Sequence, residues 1–303
     1  MSVPVLYPAL VAASVVVVWL AGDFLYARLT ALRLARWESR VRRDPDGIRV
    51  GCRDFTAGSG PIALLFIHGF ADSPAIFRPM AGALALRGFT CRVMRLPDSS
   101  IPRPLAAELH LGDQLRAISD EFKALRATHD KVWLVGHSLG GTLAIEFALL
   151  RPAEVAGLVL LAPLVRVSHW RSPLFSPRTW FQIGRRTLLF TRMLEDFFPM
   201  DVRRQDARAF DECDLFMPFP LYAELFRAVD AVRGHAPGVA VPVLFLLSKH
   251  DHVTSWRAAE AFFHRCGSPR KELKYLPGSG HVIPLDHGWT QAVEEVDRFV
   301  RFA

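Results

Sequence analysis

The sequence predicts an α/β fold, a mainly parallel sheet flanked by helices, and three observations carry that prediction. From Ile62 onward short apolar runs alternate with helical stretches, the pattern produced by parallel strands joined through crossover helices. One of these runs, Val132-Trp133-Leu134-Val135, passes directly into Gly136-His137-Ser138-Leu139-Gly140 and from there into a helical pattern. The interval between Pro163 and Pro242 is too long for a plain loop and reads as an inserted helical lid, residues 163–240. Residues 48–303 are read as one domain, because α/β folds of this size often form a single unit.

Taken in order, the first element is an N-terminal transmembrane helix within residues 1–24. Val3 to Gly22 is uncharged and nearly all apolar, about the 20 residues that span a bilayer. A cleaved signal peptide is the alternative, but no basic residue precedes the apolar core. A buried core helix fits less well, because the alternation from Ile62 supplies a complete sheet. Pro4 and Pro8 are expected to shorten the unbroken helix. Arg28, Arg33, Arg36, Arg40, Arg42 and Arg43 follow in a basic juxtamembrane segment, 25–47, with an amphipathic stretch from Tyr26 to Val41 near the headgroups. Positive flanks stay cytoplasmic, so the domain is expected on the cytoplasmic side.

Arg49 to Phe55 reads as an edge strand. Leu64 to Ile67 is a strand running into a His68-Gly69 turn, and Asp72-Ser73-Pro74 starts a helix that Gly88 stops. Further strands are expected at Phe89–Leu96, Val132–Val135, Val155–Leu161, Val241–Leu247 and Glu272–Leu276. Helices are expected at 105–127, 142–150, 254–265 and 288–302.

The pentapeptide ending in Gly140 reads as a nucleophile elbow, which makes Ser138 the candidate nucleophile. A serine hydroxyl is a poor nucleophile near neutral pH, so an imidazole must take its proton and return it to the leaving group. A carboxylate then fixes the imidazole tautomer. Both partners follow in the expected order. Asp251 lies just beyond the strand ending at Leu247, and His281 lies in Pro277-Gly278-Ser279-Gly280-His281, after the next strand. The C-terminal edge on which they fall is where open α/β sheets place their sites. Asp251 also suits a cap of the helix from Thr254, and His250, His252 and His287 are rival bases, the first two flanking the acid. The backbone N–H groups of Phe70 and Leu139 are the candidate oxyanion donors. Gly69 is the small residue that this turn needs, and His68 reads as a structural histidine.

The chain resembles the carboxylesterase and monoacylglycerol-lipase branch of the α/β-hydrolases, close to the serine aminopeptidase-like group. The resemblance rests on His-Gly-Phe-x-x-Ser-Pro at 68–74, Gly-His-Ser-Leu-Gly-Gly at 136–141, Asp-x-Val at 251–253 and Ser-Gly-His-Val-Ile-x-Leu-Asp at 279–286. It implies the α/β-hydrolase fold, the triad Ser138, Asp251 and His281, the donors Phe70 and Leu139, and support of the site from His68, Gly69, Gly136, Gly140 and Asp286. Two places depart from the family pattern. Pro97-Asp98-Ser99-Ser100 stands where Pro-Gly-x-Gly is usual, and Ser248 stands where Gly is preferred.

The lid is rich in bulky apolar residues: Trp170, Phe175, Trp180, Phe181, Leu188 to Phe190, Phe197, Phe198, Phe216, Phe219 and Phe226. They suit an acyl pocket or, for many of them, packing of the lid on the core. Arginines from Arg166 and Arg171 through Arg208 are interleaved with them. These suit an anionic lipid surface, or a solvated face balanced by carboxylates from Glu195 to Asp214. With 37 Lys and Arg against 30 Asp and Glu, the formal net charge is +7. No binding fold or concentrated basic tract accompanies it, so nucleic acid is not an expected partner. Cys52, Cys91, Cys213 and Cys266 show no paired spacing, and no metal site, phosphate loop or dinucleotide fingerprint appears, so neither a metal nor a cofactor is implied. The expectation is a serine hydrolase that cleaves carboxylic esters, lipid-like ones foremost, through an acyl-enzyme on Ser138. An aminopeptidase or amidase, an acyltransferase with the same triad, and a non-catalytic lipid- or partner-binding protein are the alternatives. Oligomeric state is left open.

Overall fold

The computed structural model describes residues 3–170 and 172–302, so Arg171 of the lid lies outside the described residues. Helix α1 (Val3–Glu38) precedes strands β1 (Phe55–Ala57) and β2 (Ile62–Ile67). Helix α2 (Arg78–Leu86), β3 (Phe89–Val93), α3 (Arg103–Ala106), α4 (Leu111–Arg126), β4 (Lys131–His137), α5 (Leu139–Leu150) and β5 (Gly157–Leu161) follow. The insert contributes α6 (Pro177–Thr187), β6 (Met193–Glu195), β7 (Phe216–Pro218) and α7 (Phe219–Arg233). Then come β8 (Val243–Leu247), α8 (Trp256–Arg265), β9 (Lys271–Tyr275) and α9 (Trp289–Arg301).

The apolar runs form a seven-stranded sheet in the order β1-β3-β2-β4-β5-β8-β9. Only β1 is antiparallel, pairing Phe55 with Val93 and Ala57 with Cys91. Alternate side chains serve opposite faces because the strand period is two. Leu65, Ile67, Leu134, Leu160 and Phe245 lie in a core with residues of α4, α5, α7 and α8, whereas Leu64, Phe66, Val135, Val159 and Leu246 pack with α2 and α9. Full burial of each such side chain contributes about 1.5–3 kcal/mol, and coverage on both faces is what makes the runs continuously apolar.

Several elements differ from expectation. The edge strand is Phe55–Ala57 and not Arg49 to Phe55, because Gly51 (φ +89°) and a turn from Cys52 N–H to the Arg49 carbonyl interrupt extension there. The helix expected over 105–127 is broken into α3 and α4. At the break the His110 N–H donates to Asp113 and the Leu111 N–H to Glu224 of α7, which satisfies donors at the new N-terminus. The insert is not purely helical, since β6 and β7 form an antiparallel hairpin. Leu225, Ala228, Val229 and Val232 of α7 enter the main core, so this part of the insert is a layer of the domain.

Helix α1 runs unbroken through Pro8, which lies near its N-terminus, where few upstream carbonyls are forfeited. It is the one helix among the described residues long and apolar enough to cross a membrane, with a mean hydropathy of 2.0 in its apolar window. Its later half, expected as a separate juxtamembrane stretch, continues the same helix and packs on the lid. Arg33 pairs with Glu195 at 2.8 Å, and Trp37 meets Phe216 with ring centroids 5.8 Å apart.

Candidate active site

Parallel strands deliver their C-terminal ends to one edge. Ile67 pairs with Gly136, His137 with Leu161 and Leu247 with Tyr275, so the loops carrying Phe70, Ser138, Asp251 and His281 all leave the sheet on that side. Ser138 sits between β4 and α5 with φ 51° and ψ −119°. Its N–H donates to the Leu161 carbonyl at 3.0 Å, and its carbonyl accepts from Gly141 and Leu164 at 3.0 Å each. A Cβ on Gly140 would stand 2.1 Å from the Ile67 carbonyl oxygen, and one on Gly136 2.5 Å from that of Gly140, so the sharp strand-to-helix crossing excludes larger residues. A Cβ on Gly69 would stand 3.0 Å from the Ser138 Cβ and 2.6 Å from Asp72, which places the His68-Gly69 turn against the turn at Ser138. Ala71, Ser100 and Ala162 join Ser138 at positive φ around this edge. Such backbone costs about 1–3 kcal/mol per residue and persists only where surrounding structure enforces it.

His281 Nδ1 lies 2.8 Å from Asp251 Oδ2, both residues being buried. Asp251 is held by the N–H groups of Val253 and Thr254 at 2.8 and 2.7 Å and by the Thr254 hydroxyl at 2.7 Å, while Ser255 caps α8. Burial pushes the Asp251 carboxyl up, but His281 and the Thr254 donors outweigh it and leave the group below the usual carboxylate range. For His281, burial works downward, and the Asp251 charge and hydrogen bond prevail, raising it above the ordinary histidine value. The Nε2 atom of His281 makes no hydrogen bond among the described residues. Asp286 accepts from the N–H groups of Gly280, Arg203, Arg204 and His287 at 2.7, 2.7, 2.9 and 2.9 Å, tying the His281 loop to the insert.

The N–H groups of Phe70 and Leu139 donate to no protein acceptor among the described residues. His68 is buried, accepts the Leu96 N–H on Nε2 at 3.0 Å and contacts the Gly69 carbonyl through Nδ1 at 2.9 Å. Burial lowers its pKa. Among the rival bases, His252 pairs with Asp201 at 3.5 Å and stacks on Trp170, and His287 lies just ahead of α9.

Sequence reasoning missed three features of this edge. His137 is fully buried, with Nδ1 3.1 Å from Asp72 Oδ2 and Nε2 3.1 Å from the His281 carbonyl, so both nitrogens face acceptors and the ring bridges the elbow to the His281 loop. Asp201, inside the insert, accepts the His281 N–H on its carbonyl at 2.8 Å. Arg103 and Asp214 form a buried pair at 3.1 Å, and the Asp214 N–H bonds the Ala71 carbonyl beside Phe70. No spacing links these residues, so no local signal could have joined them. The two departures from the family pattern are built into the same network. Ser99 donates to the Asp72 carbonyl at 2.7 Å, the Ser100 N–H donates to Asp214 at 3.0 Å, and Ser248 donates to the Ser279 carbonyl while accepting the His250 N–H. Among the described residues no group of three or more His, Cys, Asp or Glu side chains is placed to hold a metal ion.

A strained serine at the C-terminal end of a sheet strand, with a buried His–Asp pair on loops leaving the same edge, is the arrangement of an α/β-hydrolase. The family profile described as serine aminopeptidase, S33, matches residues 110–288, more than half of the chain. The chain belongs to this serine aminopeptidase family. Proteins similar to it include the thermostable monoacylglycerol lipase of Bacillus sp. (strain H-257), 24% identical over 250 residues that cover 80% of this chain and 92% of that protein. The monoglyceride lipase of Homo sapiens is 26% identical over 254 residues, 78% of this chain and 81% of that one. The structure reported for the metagenome-derived lipolytic enzymes LipS and LipT superposes with a TM-score of 0.73 at 24% identity, covering 84% of this chain and all (100%) of that one. A soluble variant of the Saccharomyces cerevisiae monoglyceride lipase gives a TM-score of 0.72 at 16% identity, with 82% and 90% covered. These likenesses establish the α/β-hydrolase fold, and the serine aminopeptidase family is the frame for the site.

Proposed function

We propose that the protein is a membrane-anchored serine hydrolase that cleaves carboxylic esters of the monoacylglycerol type, with its domain on the cytoplasmic side. The observation that carries this reading is the 2.8 Å contact of His281 with Asp251 on the sheet edge that bears the strained Ser138. With Nδ1 donating to Asp251, Nε2 is the nitrogen left to take the Ser138 proton. The hydroxyl oxygen then adds to the ester carbonyl, and the developing oxyanion is met by the N–H groups of Phe70 and Leu139. His281 returns its proton to the departing alcohol, leaving an acyl-enzyme. Water, deprotonated by His281, hydrolyses it and regenerates Ser138. The names of the similar lipases support a monoacylglycerol ester, and the lid, where Trp170, Leu174, Leu189 and Phe197 are exposed, offers apolar surface for its acyl chain.

The family description favours a second reading, an aminopeptidase. A substrate amine needs an uncommitted carboxylate, and the lid acids are engaged: Glu195 by Arg33, Asp201 by His252, Asp206 by Arg204, Asp211 by Arg49, Glu212 by Arg78 and Asp214 by Arg103. Initial rates on p-nitrophenyl esters of increasing acyl length, beside aminoacyl p-nitroanilides, decide between the two. Ester turnover that rises with chain length and falls at least about 10³-fold in Ser138→Ala is expected. Activity confined to the anilides, or surviving in Ser138→Ala, overturns the ester reading.

A further inference from the structure

At the end of the apolar stretch of α1 one carboxylate is buried. Asp23 is 5% exposed and faces the lid. Its Oδ2 accepts the N–H groups of Leu189 and Phe190 at 2.7 and 2.9 Å, and its Oδ1 accepts the N–H and hydroxyl of Thr191 at 3.1 and 2.6 Å. All four donors belong to the turn between α6 and β6. One helical turn earlier, the Trp19 indole donates to the carbonyl of Thr187, the last residue of α6, at 3.0 Å. Phe24 packs edge-on against Phe190 with centroids 5.5 Å apart. Successive N–H groups converging on a carboxylate form an anion nest, and bonds to an ionised acceptor are the strong ones.

The held turn connects to the active-site edge. From α6, Phe181 stacks on Phe219 at 5.2 Å, Phe219 lies 6.5 Å from Tyr222, and Tyr222 meets Phe70 edge-on at 5.1 Å. The residue after Thr191 is tied to the start of α7, because the Phe219 N–H donates to the Arg192 carbonyl at 2.9 Å. A rotation of the turn would therefore move α6 and the aromatic ladder that ends at the oxyanion turn.

We propose that Asp23 is a positioning residue that clasps the lid turn Leu188–Thr191 to the N-terminal helix and so sets the lid over the sheet edge bearing Ser138. This rests on the reading of the chain as an anchored ester hydrolase. Asp23 touches no reacting atom. Its effect falls on long acyl esters, which engage the lid, and spares short ones that reach Ser138 without it.

The test uses the full-length protein in phosphatidylcholine vesicles, with Asp23→Ala and Asp23→Asn beside wild type, p-nitrophenyl acetate and palmitate as substrates, and limited trypsin digestion at Arg185, Arg186 and Arg192, which flank the turn. In Asp23→Ala the KM for palmitate is expected to rise about tenfold and kcat for acetate to change less than about twofold, as expected for lost positioning and not lost chemistry. Cleavage at those arginines is expected to be faster, with Asp23→Asn intermediate. A wild-type KM ratio, a wild-type cleavage rate, or an equal loss of kcat on both esters overturns the proposal. Should Asp23→Ala fail to fold, Thr191→Val removes one donor alone and is expected to shift KM and cleavage in the same direction by about two- to threefold; no shift overturns it. If wild type hydrolyses neither ester, the ester reading fails, and the trypsin rates still decide the clasp.

Discussion

In the proposed reaction, His281 and Asp251 behind Ser138 set the pH behaviour. A histidine serves as a base only when neutral, and the pKa of His281, the proposed base, is raised from the ordinary 6.5, so kcat/KM is expected to fall as pH drops through a midpoint above that value. Asp251→Asn removes the charge that raises it and is expected to move the midpoint downward, read from a pH–rate profile on a short ester. The same pair bears on stability. A raised histidine contributes fully below its unfolded value of 6.5 and loses this as pH rises through the folded pKa, whereas a lowered aspartate contributes above 3.8 and loses this as pH falls. Thermal melts should therefore show the contribution of the pair at its maximum between those two values. At the elbow, Gly140→Ala sets a methyl 2.1 Å from a backbone oxygen, and a loss of about 3 kcal/mol, measured by urea unfolding, is expected together with loss of activity.

At the scale of elements, the loops on the active edge are held by carboxylates that receive backbone N–H groups, and this is what keeps flexible connections rigid. Asp286 receives four of them, from the His281 loop and from the insert. Burial raises its pKa, and these four donors prevail and bring it below the ordinary aspartate value. Asp286→Ala leaves the Gly280 N–H unpaired next to His281. A displacement of about 1 Å of a catalytic group can cost on the order of 10²-fold, so kcat on a short ester is expected to fall by about that factor, with KM little changed. Wild-type kcat in this variant would show that the loop holds itself. Helix α4 illustrates the same dependence on distant partners. Its break from α3 is invisible in the apolar periodicity of 105–127, because one of its capping acceptors, Glu224, comes from α7.

For the whole molecule, the apolar helix, the lid and the sheet edge form one sequence of contacts. The helix is exposed along its apolar window, 6% buried, and the proposed anchoring would place that surface in lipid. Membranes from cells expressing the protein are expected to retain it after carbonate extraction, and a version beginning at Ser39 is expected to be released. Protease added to sealed cytoplasmic-side-in vesicles should leave the domain intact, and its digestion would place the domain on the opposite face.

The main strand positions and the glycine-flanked strand-to-helix turn at Ser138 were legible in the sequence because each depends on local chemistry. A buried strand between two helical layers must be continuously apolar, and a sharp strand-to-helix turn admits only glycine at Gly136 and Gly140. Likewise, an uncharged stretch from Val3 to Gly22 announces its helix. Only the tertiary structure decided which distant groups meet. The pairing of His137 with Asp72, of Arg103 with Asp214, and of Asp23 with the turn at 189–191 joins residues 65 to 168 positions apart, and the chain between them carries no periodicity that encodes the contact. Burial makes such pairings obligatory, since a charged group removed from water must find a partner wherever the fold brings one.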